Sequence, residues 1–62
     1  MKSTRYIIVY EQWDELFGWA WKVEVYKESE KEEMMENYAD ISQQAYTRNY
    51  FRIKRTREWD DE

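Results

Sequence analysis

The sequence predicts an α+β domain with its elements in the order β-β-α-β: a three-stranded antiparallel sheet, strand order 2-1-3, with one helix packed on one face. Three observations predict it. Residues 5–12 (RYIIVYEQ) are rich in β-branched and aromatic side chains, residues 19–27 (WAWKVEVYK) alternate with period 2, and the period changes to 3.6 at Ser29 and returns to 2 near Tyr46.

The first strand carries Ile7, Ile8 and Val9 between Tyr6 and Tyr10. It is apolar on both faces, Ile7 and Val9 on one and Tyr6, Ile8 and Tyr10 on the other, as a central strand covered on both sides is. Residues 13–18 (WDELFG) hold the only glycine and make the turn of a hairpin. In the second strand Trp19, Trp21, Val23 and Val25 share one face, and Ala20, Lys22, Glu24 and Tyr26 share the other. Residues 29–32 (SEKE) match a capping box, in which the Ser29 hydroxyl accepts from the amide three residues on and Glu32 reaches back to the Ser29 amide. A helix over about 30–45 follows from Met34, Tyr38, Ile41 and Ala45, which recur at i, i+4, i+7 and i+11. Glu30, Glu32 and Glu33 in its first turn suit the positive end of the helix dipole.

The third strand spans 46–57, with Tyr46, Arg48, Tyr50, Arg52 and Lys54 on one side and Phe51 and Ile53 on the other. A helical connection from strand 2 to strand 3 crosses most economically over strand 1, which gives the order 2-1-3 in preference to 1-2-3. The chain reads as a single domain over 1–62, with 1–4 and 58–62 expected to fray.

Sixty-two residues bury roughly 60% of the surface of the unfolded chain, and such a core supplies only about 3–5 kcal/mol. Cysteine and histidine are both absent, which excludes disulfides and zinc sites of the Cys/His type. Asp14, Asp40, Asp60 and Asp61 are scattered and form no calcium loop, so no metal and no cofactor is expected. What remains to stabilise the chain is aromatic packing, from four Trp, six Tyr and two Phe, and self-association.

Catalysis is not expected. Neither Cys nor His is present to pair with a nucleophile, Ser29 is assigned to the cap, and the adjacent carboxylates Asp14 and Glu15 read as a solvated turn. A signal peptide and a membrane span are not expected either, because the N-terminal apolar run covers only Tyr6 to Tyr10. That points to a cytoplasmic protein.

Charge is segregated along the chain. Residues 46–57 carry Arg48, Arg52, Lys54, Arg55 and Arg57 and no acid, while the helix carries Glu30, Glu32, Glu33, Glu36 and Asp40 against Lys31, and the net charge is −4. If the Ile7, Val9, Trp19, Trp21, Val23, Val25, Phe51 and Ile53 face meets the helix, the opposite face is a tyrosine and arginine surface: Tyr6, Ile8, Tyr10, Tyr26, Tyr46, Arg48, Tyr50 and Arg52. Such a surface predicts an interface.

The expected function is therefore a non-catalytic protein-binding module acting as a homodimer. Its small size and acidity suit an inhibitor or adaptor of the kind viruses and mobile elements encode. If the dimer occupies the tyrosine face, the partner site shifts to Trp13 and Phe17 of the hairpin or to the acidic helix surface of Glu32, Glu33, Glu36 and Asp40. The alternative is a single-stranded nucleic-acid binder that stacks bases on Tyr46, Tyr50 and Phe51 and holds phosphates with the neighbouring arginines.

Overall fold

The computed structural model describes residues 2–58. Strand β1 runs Ser3–Asp14 and β2 Gly18–Lys27; a single 3₁₀ turn, Glu28–Glu30, leads into helix α1, Lys31–Gln43, and β3 runs Thr47–Arg57. The three strands form one antiparallel sheet in the order β2-β1-β3, the predicted topology. β1 starts two residues before the predicted Arg5, because Ser3 and Thr4 pair with Arg57 and Thr56 and the Thr4 and Thr56 hydroxyls lie 3.0 Å apart in a hydrogen bond. Of the predicted frayed tail, 59–62 lies outside the described residues.

The hairpin closes on Asp14. Its Oδ1 accepts from the Leu16 N–H at 2.8 Å and the Phe17 N–H at 3.1 Å, a side-chain-made turn. Gly18 then takes φ 76°, a left-handed conformation that a side chain would strain. The predicted Ser29 cap does not form. Instead Glu30 Oε1 accepts from the Lys27 N–H at 2.8 Å, and neither the 3₁₀ turn nor α1 has a side-chain cap at its start. The helix stops at Gln43, short of the predicted 45, because Gln44 is extended (φ −81°, ψ 135°). The Thr47 hydroxyl donates to the Ile41 carbonyl and, at 3.1 Å, to the Gln44 carbonyl. The same two carbonyls also accept the Gln44 N–H at 3.3 Å and the Thr47 N–H at 3.4 Å, so backbone and side chain close the helix end together.

The helix lies on the opposite face from the one predicted. The core is Tyr6, Ile8, Tyr10 and Tyr26 from the sheet against Met34 and Ile41 of α1, with Tyr38 packed beside them; Ile8 is fully buried. Alternation correctly sorts the residues of β1 and β2 into two faces, but it does not say which face the helix takes. β2 and β3 both run antiparallel to β1 and hence parallel to each other, so β2-α1-β3 is a crossover connection. The side of the sheet on which such a connection lies is set by its hand, whatever the side chains there. Tyrosine accommodates that position because its ring is apolar and its hydroxyl is satisfied at the rim. The Tyr10 hydroxyl donates to Glu24 Oε2 at 2.9 Å, the Tyr26 hydroxyl donates to Glu24 Oε1, and Asn37 Nδ2 donates to the Tyr26 oxygen at 2.7 Å.

A β-bulge breaks β3. Val9 pairs with Phe51, but Glu11 pairs with Arg48, so Asn49 and Tyr50 together face Tyr10 across the ladder. Asn49 takes φ 52°, a left-handed position that asparagine tolerates better than most residues. The extra residue inverts the phase of everything before it. Arg48 moves to the side opposite Tyr50 and Arg52, and Thr47 turns inward beneath the helix.

Candidate functional site

The face of the sheet away from the helix is built in rows across β2, β1 and β3. Two central rows are apolar throughout: Val25, Ile7 and Ile53, then Val23, Val9 and Phe51. Val23 is 61% exposed, Val25 58% and Phe51 44%. β-branched side chains in neighbouring strands normally pack against a second layer, and no element of the described chain covers these. Toward the hairpin the next row is Trp21, Glu11 and Arg48, followed by the Trp19–Trp13 pair, whose rings meet edge to face at 5.6 Å. Toward the other end the row is Lys27, Arg5 and Arg55, with Ser3 and Arg57 beyond it. The face therefore has an apolar centre, an aromatic end holding one carboxylate, and a cationic end.

The aromatic end is rigidly made. Arg48 lies over the Trp19 ring at 4.0 Å, and its Nε donates to Glu11 Oε1 at 3.2 Å. Asn49 Nδ2 donates to the same oxygen at 2.6 Å. The Asn49 hydrogen bond and the Arg48 guanidinium hold the Glu11 carboxyl below its ordinary pKa, so it stays ionised. The Trp13 N–H donates to the Tyr46 carbonyl at 2.9 Å, which ties the strand end to the segment entering β3.

The structure redistributes the residues expected to form the interface. Tyr6, Ile8, Tyr10 and Tyr26 are buried beneath α1, which corrects the expected tyrosine surface. Tyr50 stacks edge to face on Tyr38 at 5.8 Å, and Arg52 lies over the Tyr38 ring at 5.2 Å, so both flank the helix. Arg48 is on the opposite face, over Trp19, because of the bulge. Tyr46 is half-exposed in the turn before β3. The alternative set is likewise divided. Trp13 belongs to the uncovered face, Phe17 stands exposed in the hairpin turn, and Glu32, Glu33, Glu36 and Asp40 lie on the exposed surface of α1 beyond the other face. The residues that do come together in the open, Val23, Val25, Trp21, Phe51, Ile7 and Val9, were read from the sequence as core. Their signal was the same alternation, assigned to the other side.

Beside the helix, a cleft of about 400 Å³ opens between the start of α1 and β3, lined by Tyr6, Lys31, Met34, Met35, Arg52, Ile53 and Lys54. Among the described residues, no group of acidic side chains is arranged to hold a metal ion, and no helix is long and apolar enough to cross a membrane. No family model, no curated protein and no solved structure matches the chain.

Proposed function

We propose that this protein is a non-catalytic protein-binding module that works by laying the uncovered face of its sheet against another polypeptide surface. One observation carries the reading: two complete rows of Val, Ile and Phe across all three strands have nothing packed on them among the described residues. Soluble monomers rarely leave a continuous apolar patch of more than a few hundred Å² open to water, and such patches mark interaction sites. The charged and aromatic rows at either end would act as a rim that fixes orientation. An inhibitor or adaptor role, of the kind small viral and mobile-element proteins play in the cytoplasm, is the form of this reading that the small size and net charge of −4 suit.

The geometry favours protein over single-stranded nucleic acid. A strand binder interleaves flat aromatic platforms with cations along the backbone track. Here the tryptophans and the cationic row Lys27, Arg5 and Arg55 stand at opposite ends of the face. The two rows between them are aliphatic apart from Phe51, and the one cation among the tryptophans, Arg48, is paired with Glu11.

The test compares the protein with Val23→Lys, which charges the centre of the face at an exposed position. Both are immobilised and challenged with a lysate of the cells that encode the protein. Polypeptides retained by the first and lost from the second support the reading. The same set on both, or a retained fraction that is nucleic acid and elutes with moderate salt, contradicts it.

A further inference from the structure

The two ends of the uncovered face differ in charge, with the cations Lys27, Arg5 and Arg55 at one and tryptophans beside the Glu11–Arg48 ion pair at the other, and this points to a specific occupant. We infer that the face docks on a second copy of itself, related by a two-fold axis that runs across the strands between the Ile7 and Val9 rows. This inference rests on the docking reading above and names its partner.

A two-fold axis relating two stacked faces lies in the plane between them, and two orientations are available. Along the strands, it lays like on like, with the cationic rows Lys27, Arg5 and Arg55 of the two copies on each other. Across the strands, it reverses one sheet. The Ile7 row then covers the partner's Val9 row and the reverse, Lys27 comes over the partner's Trp21, Arg5 comes over the partner's Glu11, and Arg55 comes over the partner's Arg48, whose charge is already met by Glu11 and the Trp19 ring. A cation on an indole face and a cation on a carboxylate are both attractive, and each contact occurs twice. Glu11 is ionised and positioned to take part, held by Arg48 and Asn49.

The area is sufficient. Ten paired residues at about 3.3 Å each and three strands at about 4.8 Å spacing make a face of about 500 Å². Two copies therefore bury about 1,000 Å², the lower bound for a specific interface. The acids of α1 lie beyond the far side of each sheet, so the net charges of the two copies stay apart.

Sedimentation equilibrium on the purified protein, from low to high micromolar, tests the inference. The protein is expected to pass from monomer to dimer, and Val23→Lys, with unchanged circular dichroism, is expected to dimerise at least about 100-fold more weakly, since it buries two unpaired charges. Orientation is read by cross-linking. The chain has no cysteine, so Lys27→Cys mixed with Trp21→Cys and treated with a short bismaleimide is expected to give a joined dimer, while Lys27→Cys mixed with Arg55→Cys is not. The second pair joining in place of the first overturns the orientation. A Val23→Lys protein that dimerises like the original overturns the surface. A strict monomer at high micromolar overturns the second copy as the occupant and leaves the docking reading to its own lysate comparison.

Discussion

The two faces of this sheet are made from the same three strands and differ by one step of the pleat. Beneath the helix the strands present Tyr6, Tyr10 and Tyr26 around a single fully buried aliphatic residue, Ile8. On the other side they present Val, Ile, Phe and Trp, the more apolar set, with no cover. A hydrophobic ranking alone would assign them the other way round. The difference teaches that the buried side was settled by the crossover, and that the residues under it were suited to the place by ring area and by hydroxyls with partners. The open side carries a composition that suits a second layer, and among the described residues no element supplies one.

A charge introduced on each face should separate them most sharply. Ile8→Asp places an unpaired carboxylate in the fully enclosed site and is expected to unfold a domain of this size outright. Val23→Asp, fifteen positions on and on the opposite side of the neighbouring strand, is expected to move the denaturation midpoint of the monomer little. Equal effects in urea titrations would erase the distinction between the faces. A milder version uses adjacent methionines of the helix. Met34 is buried and Met35 half-exposed, so Met34→Ala is expected to cost about 2–4 kcal/mol and Met35→Ala under about 1 kcal/mol.

The tyrosine face also predicts a pH dependence. Burial first, and then the Glu24 carboxylate that accepts its hydroxyl, push the Tyr10 phenol from 10.0 up to about 12; Tyr26 is pushed up for the same reasons. The unfolded chain therefore gives up this proton first. The stabilisation is whole below pH 10 and is lost as pH rises toward 12, by about 2 kcal/mol for Tyr10. Tyr10→Phe should flatten that part of the stability profile, measured by denaturant unfolding across pH 9–12. A profile unchanged by the substitution would mean that the phenol is not enclosed. A smaller effect than that of Tyr10 belongs to the bulge. Asn49→Ala keeps the left-handed backbone but loses the hydrogen bond to Glu11, and about 1 kcal/mol is expected.

Element order, strand pairing and the sorting of the β1 and β2 side chains into two faces were all legible in the sequence, because period 2 in β1 and β2 and the Met34, Tyr38 and Ile41 spacing in α1 report local geometry directly. Ser29 misled because an S-x-x-E match does not say where the first turn starts; the Glu30 side chain had already engaged Lys27 N–H. The displacement of Arg48 was hidden because a bulge leaves no mark on composition beyond an asparagine able to take positive φ. The candidate site itself was legible as a set of residues and illegible as a surface, since the face chosen by a crossover is a property of the whole chain.

Side-chain oxidation by a brief hydroxyl-radical pulse, read by mass spectrometry at several protein concentrations, tests most directly whether one face is sealed and the other docks. Tyr10, Tyr26 and Met34 are expected to stay protected at every concentration. Trp21 and Phe51 are expected to oxidise fast in dilute protein, to become protected as concentration rises, and to remain reactive throughout in Val23→Lys. Oxidation of Tyr10 and Tyr26 ahead of Trp21, or a Trp21 rate that ignores both concentration and the substitution, would contradict that division of the faces.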